Sequence, residues 1–432
     1  MASVIPFKAL RPQPQFAPKV ASRPYDVLDS VEAKIEARGN PHSFLHITKS
    51  EIDLPENTDI HSAYVYEKAK ENLDAFIQRG VLFQEDKACF YIYQLIMKGR
   101  SQTGLVCGSA INDYEKDIIK KHEFTRPEKE QDRINHIAAT HAQTGNVFLA
   151  YRNVVEIDDI INNWKSQHDP VYDFTAEDEI RHTIWVVNST ETSAALVQLF
   201  KEKVPFTYIA DGHHRAASAA KVRKLLETSN AIENPGYPSR KSAAQQKVDA
   251  TDTVRSRDYF LTTLFPANEL HIMDYNRVIK DLGGMSAEDF IQKLKKDFEI
   301  EEAGPAFAPA KLHEFGLYIN RKWYKLESKP NTYSNDPIGI LDVTILSDNV
   351  LDKLLGIADQ RTDKRIDFVG GIRGPEELER RVNSGEMAAA FSFYPVSIQQ
   401  LFDIADSGNV MPPKSTWFEP KLRDGLLTHL ID

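Results

Sequence analysis

Short apolar runs and amphipathic stretches are interspersed along this 432-residue chain, and this mixture constrains the fold more than any other feature. The runs ACFYIYQLIM and TGLVCGSAI flank a polar KGRSQ turn. They predict a β-hairpin, because β-branched and aromatic residues favour strands. Residues 63–80 and 286–298 have helical spacing instead. Since the strands and helices do not follow a strict βαβ alternation, the sequence predicts a mixed α/β (α+β) fold.

The chain is longer than one hydrophobic core of ordinary size can organise, so we expect more than one domain. A polar stretch with prolines and a glycine at 231–255 predicts a loop or insertion. It would separate a core of residues 1–230 from a C-terminal α/β domain of residues 256–432. Four prolines in the first twenty residues predict an extended arm that is not packed. The run at 44–48 predicts a short strand.

The formal net charge is −10, which argues against nucleic-acid binding by bulk phosphate attraction. The chain has no signal-peptide pattern and no apolar run of membrane-spanning length, so we expect a soluble cytoplasmic protein without a membrane partner. Cys89 and Cys107 lie in apolar strand-like runs without metal-ligand spacing. They predict buried, unreactive thiols rather than a zinc site or a disulfide.

The strongest functional signal is the segment YIADGHHRAASAA, in which an apolar strand passes through a glycine into an alanine-rich helix. The start of a helix has unpaired N–H groups and a partial positive charge, so it favours anions and phosphate especially. Two imidazoles and a guanidinium add donors and a proton carrier. The predicted phosphate or nucleotide ligands are Asp211, Gly212, His213, His214 and Arg215. The alternative is that the aspartate only caps the helix and the histidines are exposed loop residues.

A second candidate segment is KHEFTRPEKEQDR, residues 121–133. Thr125 and Glu128 have the spacing of a capping box, and Pro127 suits a first helical turn, so a helix start is predicted. Like charges recur four residues apart, which destabilises an isolated helix by a few tenths of a kcal/mol. This pattern favours a basic stripe that binds phosphate beside an acidic one. The predicted cationic ligands are Arg126, Lys129 and Arg133. The alternative is a solvated, charge-rich helix start.

A third candidate is the run MPPKSTWFEPK near the C-terminus, whose prolines and hydroxyl residues predict a rigid loop. Lys414 and Ser415 are its candidate phosphate ligands, although the spacing does not match a Walker motif. The alternative is a strap that packs its aromatic residues on the core.

Five segments together resemble a widespread bacterial family of unknown function, whose members are often labelled as relatives of the chromosome-partitioning protein ParB. The segments are RPYDV, NP followed by FLHI, HEFTRPEKEQDR, ADGHHR and MPPKSTWFEPK. The resemblance extends from about Ile5 to Leu430. The wider resemblance is to the ParB/sulfiredoxin-like fold, which includes free serine kinases. Those kinases have a closely similar Asp-Gly-His-His-Arg, which falls on residues 211–215 here.

The resemblance implies a phosphotransferase that acts on free serine or phosphoserine with ATP or ADP and Mg²⁺. The catalytic glutamate of the serine kinases lies in an early segment that does not align with this chain, so Asp26, Glu32 and Glu123 are all open. Glu123 is the first choice for the base and Asp26 the second, with His213 or His214 as alternatives. Mg²⁺ would bind at Glu123 or Asp211. The rival hypotheses are a phosphatase or nucleotide hydrolase at the same site, and a ParB-like nucleotide switch, although no basic recognition helix is visible.

Overall fold

The computed structural model describes residues 1–231 and 254–432, and it divides them into two compact units. Unit 1 comprises Met1–Leu270 and Pro420–Asp432, and unit 2 comprises His271–Glu419. This division differs from the boundary expected at 256. The strand after that position joins the sheet of unit 1, and the C-terminal strand returns to pair with the N-terminal one. Nearly all of the predicted polar loop at 231–255 lies outside the described residues.

The strands in chain order are β1 (Val4–Ile5), β2 (Ala9–Pro12), β3 (Leu82–Gln84), β4 (Phe90–Met97), β5 (Arg100–Ala110), β6 (Ile119–Lys120), β7 (Ala142–Gln143), β8 (Val147–Tyr151), β9 (Tyr172–Thr175), β10 (Arg181–Val187), β11 (Thr207–Asp211), β12 (Tyr259–Pro266), β13 (Ile272–Met273), β14 (Tyr275–Ile279), β15 (Phe298–Glu302), β16 (Glu314–Ile319), β17 (Lys322–Ser328), β18 (Ile366–Gly370), β19 (Ala389–Phe393), β20 (Trp417–Phe418) and β21 (Thr428–Leu430). The α-helices are α1 (Ala17–Val20), α2 (Ser30–Glu36), α3 (Leu45–Thr48), α4 (Ala63–Gln78), α5 (Ile111–Glu115), α6 (Pro127–Thr140), α7 (Val155–Gln167), α8 (Thr190–Lys203), α9 (His213–Ala231), α10 (Ala287–Leu294), α11 (Asp342–Leu346), α12 (Lys353–Leu355), α13 (Gly374–Asn383) and α14 (Ile398–Asp406).

The main sheet of unit 1 has the strand order β6-β11-β8-β12-β5-β4-β10-β9, and β1 pairs with β5. The predicted hairpin is confirmed as β4–β5. Helices α7, α8 and α9 supply apolar residues to the core of this sheet. Helix α9 does so through alanines such as Ala216 and Ala219. These small side chains bring the helix backbone close to the sheet, and the mixed α/β class expected from the sequence is confirmed.

Two local expectations for unit 1 are wrong. The N-terminal prolines do not leave a loose arm, because β2 is buried in a second sheet of order β3-β2-β21-β7. The run at 44–48 is helical, since α3 occupies Leu45–Thr48. Phe44 and Ile47 lie three residues apart on its buried face, packed with Leu10 and Leu73. A five-residue apolar run fits either a strand or a helix turn, and packing decides between them.

Unit 2 is built on a sheet of order β15-β17-β16-β19-β14-β18, and β13 pairs with β20. The helix expected at 341–355 is interrupted, because a π-helical stretch at Ser347–Asp352 separates α11 from α12. The two thiols, both in unit 1, are as expected, with Cys89 and Cys107 buried. Burial raises the pKa of the Cys107 thiol to about 12, which keeps it protonated. In the described ranges, no helix has the length and apolar character needed to cross a lipid bilayer.

Candidate functional site

The junction between β11 and α9 forms the centre of the site. Strand β11 ends at Asp211, Gly212 has a φ of +99°, and α9 begins at His213. A Cβ on Gly212 would lie 3.1 Å from Nε of Arg215 and 3.3 Å from Cα of Val147. Only glycine fits this position without strain, for both its backbone angle and its surroundings. The first N–H groups of α9 have no acceptor within the helix, as at every helix start.

Arg215 is buried at this junction, with 9% of its surface exposed. Its guanidinium donates to the carbonyl of Asn146 and lies 3.4 Å from Asp26 Oδ2 and 3.3 Å from Asp211 Oδ1. Burial alone would lower the pKa of Arg215, but these carboxylates outweigh it and raise the pKa above its ordinary value. Among the described residues, Nε of Arg215 is buried without an acceptor.

The two adjacent histidines connect the helix start to the segment at 121–126. Nε2 of His213 accepts the backbone N–H of His122 at 3.4 Å, and Nε2 of His214 accepts that of Arg126 at 2.9 Å. His213 is 5% exposed, so it is not the exposed loop residue of the alternative interpretation. Burial, and then the neighbouring His122, lower the pKa of His213 far below its ordinary value. His213 is therefore neutral and accepts this hydrogen bond at Nε2, so the single N–H proton of its imidazole is assigned to Nδ1.

The same contacts bring Glu123 to the helix start, where its Oε2 lies 3.8 Å from Nδ1 of His213. Helix α6 begins with Pro127 in its first turn, as predicted. The predicted capping box is wrong, because the N-cap is Arg126 and Thr125 donates its hydroxyl to Glu130 at 2.8 Å. With proline at the first helical position, the cap moves one residue beyond Thr125.

The two cations predicted to share one stripe of α6 have different environments. Lys129 is exposed, whereas Arg133 is 7% exposed and its guanidinium lies 3.9 Å from the centre of the Tyr25 ring. Arg133 also donates to Asp132, whose carboxylate accepts the hydroxyl of Tyr66 at 2.8 Å. Burial raises the pKa of Asp132, but Arg133 outweighs that effect and the pKa is lowered. Lys129 and Arg133 therefore do not form one exposed basic stripe, because Lys129 is in solvent and Arg133 is buried.

Two residues near the C-terminus belong to this site and were not predicted. Nζ of Lys421 lies 2.9 Å from Asp211 Oδ2. Asp424 is 2% exposed, and its backbone forms a two-way bridge with Ser22. Burial raises the pKa of Asp424 to about 7, although Arg215 opposes the shift. Lys421 ends the run MPPKSTWFEPK, which was a usable signal, but nothing in the sequence around Asp424 marks it.

Lys414 and Ser415 lie in unit 2 on the turn before β20. The carbonyl of Lys414 accepts a hydrogen bond from Arg277 at 2.9 Å, and its Nζ lies 5.6 Å from the centre of the Tyr275 ring. Ser415 is buried and donates its hydroxyl to the carbonyl of Pro412 at 2.6 Å. The backbone of this turn is therefore fixed by a buried arginine, as a rigid loop requires.

The carboxylates of the site differ in how well they suit Mg²⁺. Across residues 1–231 and 254–432, no three His, Cys, Asp or Glu side chains lie close enough to hold a metal ion by themselves. Asp211 suits it poorly, because Lys421 and Arg215 face its two oxygens. Asp26 contacts one cation through one oxygen and retains acceptor capacity. Mg²⁺ commonly binds through one or two carboxylates and the phosphates of a nucleotide, so Asp26 and Glu123 fit a nucleotide-borne ion better.

Comparison with solved structures gives matches of low sequence identity. A free serine kinase in complex with AMP is 12% identical, with a TM-score of 0.37 and coverage of 76% of this chain and 91% of that chain. A conserved hypothetical protein from Pyrococcus furiosus is 14% identical, with a TM-score of 0.36 and coverage of 76% and 95%. SbnI with C-terminal truncation from Staphylococcus aureus is 9% identical, with a TM-score of 0.36 and coverage of 74% and 85%.

No curated protein sequence gives a significant match to the chain. Residues 4–344 match the family described as a protein of unknown function, DUF1015. This match covers well over half of the sequence and includes the junction at 211–215 and the segment at 121–126. The chain therefore belongs to the DUF1015 family.

Proposed function

We propose that the protein is a phosphotransferase that moves a phosphoryl group between an adenine nucleotide and free serine, in either direction. The observation that carries this proposal is the meeting of two segments at one helix start. The imidazoles of His213 and His214 accept N–H groups of residues 122 and 126, which brings Glu123 to the first turn of α9. The motif Asp-Gly-His-His-Arg at that turn also resembles the phosphate-binding motif of free serine kinases.

Phosphoryl transfer requires positioning and neutralisation of charge rather than covalent chemistry by the protein. In this proposal the backbone at 212–215 binds the nucleotide phosphates, since a helix start supplies N–H donors and a partial positive charge. Arg126, Lys129 and Arg133 neutralise the transferred group. Lys414 and Ser415 of unit 2 are separately proposed as phosphate ligands. The same proposal assigns residues 1–230 to a ParB/sulfiredoxin-like core.

Glu123 is our first choice for the base that accepts the serine hydroxyl proton, with Asp26 as the second. Nδ1 of neutral His213 lies 3.8 Å from Oε2 of Glu123, which places the carboxylate at the helix start where the serine hydroxyl would bind. His213 and His214 are weaker candidates, because each uses Nε2 to accept a backbone N–H. When bound with the nucleotide, Mg²⁺ held by Asp26 or Glu123 would neutralise phosphate charge.

A ³¹P NMR assay tests the reaction class directly. The protein is incubated with serine and ATP, and separately with phosphoserine and ADP. We expect phosphoserine and ADP in the first mixture, and serine and ATP in the second. Release of inorganic phosphate would instead identify a phosphatase or nucleotide hydrolase at this site. Nucleotide binding without any turnover would favour a ParB-like switch and contradict the proposal.

The Glu123→Gln variant tests the base. It keeps the shape of the side chain and removes its charge, so turnover should fall by roughly 100-fold or more, as is typical for the loss of a general base. Nucleotide affinity should change far less. Glu128→Gln, on the exposed first turn of α6, is the matched control and should retain the wild-type rate. If Glu123→Gln also retains the rate, Asp26 becomes the candidate base.

A further inference from the structure

The C-terminal residues 420–424 contact the rest of unit 1 at two places, the start of α9 and the strands β4 and β10. Lys421 reaches the carboxylate of Asp211 at the end of β11, and Asp424 is buried next to Arg215. Arg423 lies between them in sequence and has other partners, on strands β4 and β10. The backbone of this short segment, which we term the C-terminal strap (residues 420–424), is bridged to Ser22.

The partners of Arg423 form a connected network that is buried except at Asp178. Its backbone N–H donates to the hydroxyl of Tyr93 at 3.3 Å, and its Nε donates to Nε2 of His182 at 3.3 Å. A further guanidinium nitrogen pairs with Asp178. Burial, followed by the charge of Arg423, lowers the pKa of His182 to about 3, so the imidazole is neutral. Since Nε2 accepts a hydrogen bond, Nδ1 carries the proton and donates to Tyr93 at 2.8 Å.

This network fixes the strap because Arg423 donates from its backbone N–H, its Nε and a further guanidinium nitrogen to three different side chains. Arg423 is 5% exposed, and His182 and Tyr93 are almost completely buried. A lysine at 423 could not reproduce the planar donor set of the guanidinium. The position of Lys421, two residues earlier, is therefore set by contacts away from the helix start.

The helix start itself has a second feature that points to an anionic ligand. Within residues 1–231 and 254–432, Nε of Arg215 is a buried donor without an acceptor, and it lies 3.1 Å from the place that a Gly212 Cβ would occupy. Lys421, which is partly exposed, adds an ammonium on the Asp211 side of the same turn.

We propose that Lys421 is a phosphate-binding residue of the helix-start site and that Arg423 is the positioning residue that holds it there. The ligand class is a di- or triphosphate, free or carried by a nucleoside. The identification of that ligand as a nucleotide rests on the function proposed above, whereas the anion site does not. Asp211 orients the ammonium, and Arg423 acts only through Lys421.

Calorimetric titration of the full chain with pyrophosphate, ATP and adenosine tests the role of Lys421. Lys421→Gln should weaken pyrophosphate and ATP binding by roughly 10- to 100-fold, the usual effect of losing one charge-assisted contact, and leave adenosine binding unchanged. Lys49→Gln is the matched control, because Lys49 forms a 3.0 Å ion pair with Glu51 at similar exposure, and it should bind like the wild type. Unchanged pyrophosphate binding by Lys421→Gln overturns the proposal.

A double-mutant cycle tests the positioning role of Arg423. Arg423→Lys should weaken ATP and pyrophosphate binding, and adding it to Lys421→Gln should cause no further loss. Additive losses would show that Arg423 does not act through Lys421. If Arg423→Lys fails to fold, Asp178→Asn weakens the same network by removing the charge that pairs with Arg423. Combined with Lys421→Gln, it is expected to cause no further loss of binding either.

The outcomes separate this inference from the proposed function. If the wild type binds pyrophosphate but no nucleotide and transfers no phosphoryl group, the function fails while Lys421 can still be assigned by the same variants. If the wild type binds none of the phosphate compounds, the anion site and the role of Lys421 are both refuted.

Discussion

Replacement of Asp424 by asparagine should change how the stability of the protein depends on pH. Asp424 is 2% exposed, and burial raises the pKa of its carboxyl from 3.8 to about 7 in the folded protein. A raised carboxyl pKa means that ionisation is penalised by folding. The contribution of this group to stability is therefore fully present below the unfolded pKa of 3.8 and is lost as pH rises towards 7.

The magnitude follows from the two pKa values. Ionisation of Asp424 should cost the folded state roughly 1.7 kcal/mol at pH 5 and about 4.3 kcal/mol at pH 8. An asparagine carries no charge at either pH, so it avoids this cost. Relative to the wild type, Asp424→Asn should therefore gain roughly 2.5 kcal/mol between pH 5 and pH 8. The loss of the attraction to Arg215 is already contained in the raised pKa.

Urea denaturation followed by intrinsic fluorescence at both pH values measures this difference. The comparison uses the change in the variant-minus-wild-type free energy of unfolding, so that any pH-independent effect of the amide cancels. Parallel pH profiles for the two proteins would refute the reasoning, because they would mean that Asp424 is ionised in the folded state at pH 5 already.

Three other perturbations have defined outcomes. Asp342→Asn in unit 2 should give a similar gain of roughly 2.5 kcal/mol between pH 5 and pH 8, because burial also raises the pKa of Asp342 to about 7; the same urea measurement checks it, and no gain would contradict it. Gly425→Ala should destabilise the protein by about 2–4 kcal/mol, since φ at Gly425 is +89° and a Cβ there would lie 2.6 Å from Phe44. Gly385→Ala, where φ is +79° and a Cβ would meet no atom within 4 Å, should cost only about 1 kcal/mol. Equal shifts in melting temperature for the two variants would count against steric crowding at Gly425. Arg215→Met should cost about 1–3 kcal/mol in a thermal melt, because it removes the buried cation that pairs with the partly exposed carboxylates of Asp26 and Asp211. A change within ~0.5 kcal/mol, as expected for the exposed Lys129→Met, would contradict a stabilising role of Arg215.

Local patterns in the sequence were sufficient for the elements that are stabilised mainly by their own residues. The hairpin β4–β5, helix α4 with Gly80 beyond its end, and the junction of β11 with α9 all follow from residue type and spacing. The two candidate segments of unit 1 were also visible as sequence. Their meeting through His213 and His214 was not, because hydrogen bonds to backbone groups 88 to 91 residues away leave no periodic signal.

Tertiary structure decided the rest. Four prolines predicted a loose N-terminal arm, but β2 is buried and pairs with β3 on one side and β21 on the other. Because β21 comes from the opposite end of the chain, no local pattern could show this pairing. The sequence predicted Arg215 as a phosphate ligand, and the structure adds that Asp26, Asp211 and Asp424 surround it from three separate segments. Residue type and periodicity are local properties, so the sequence alone determined which turn carries the donors. Burial and electrostatic partners depend on segments far apart in the chain, so only the folded structure determined that Lys421 and Asp424 join that turn.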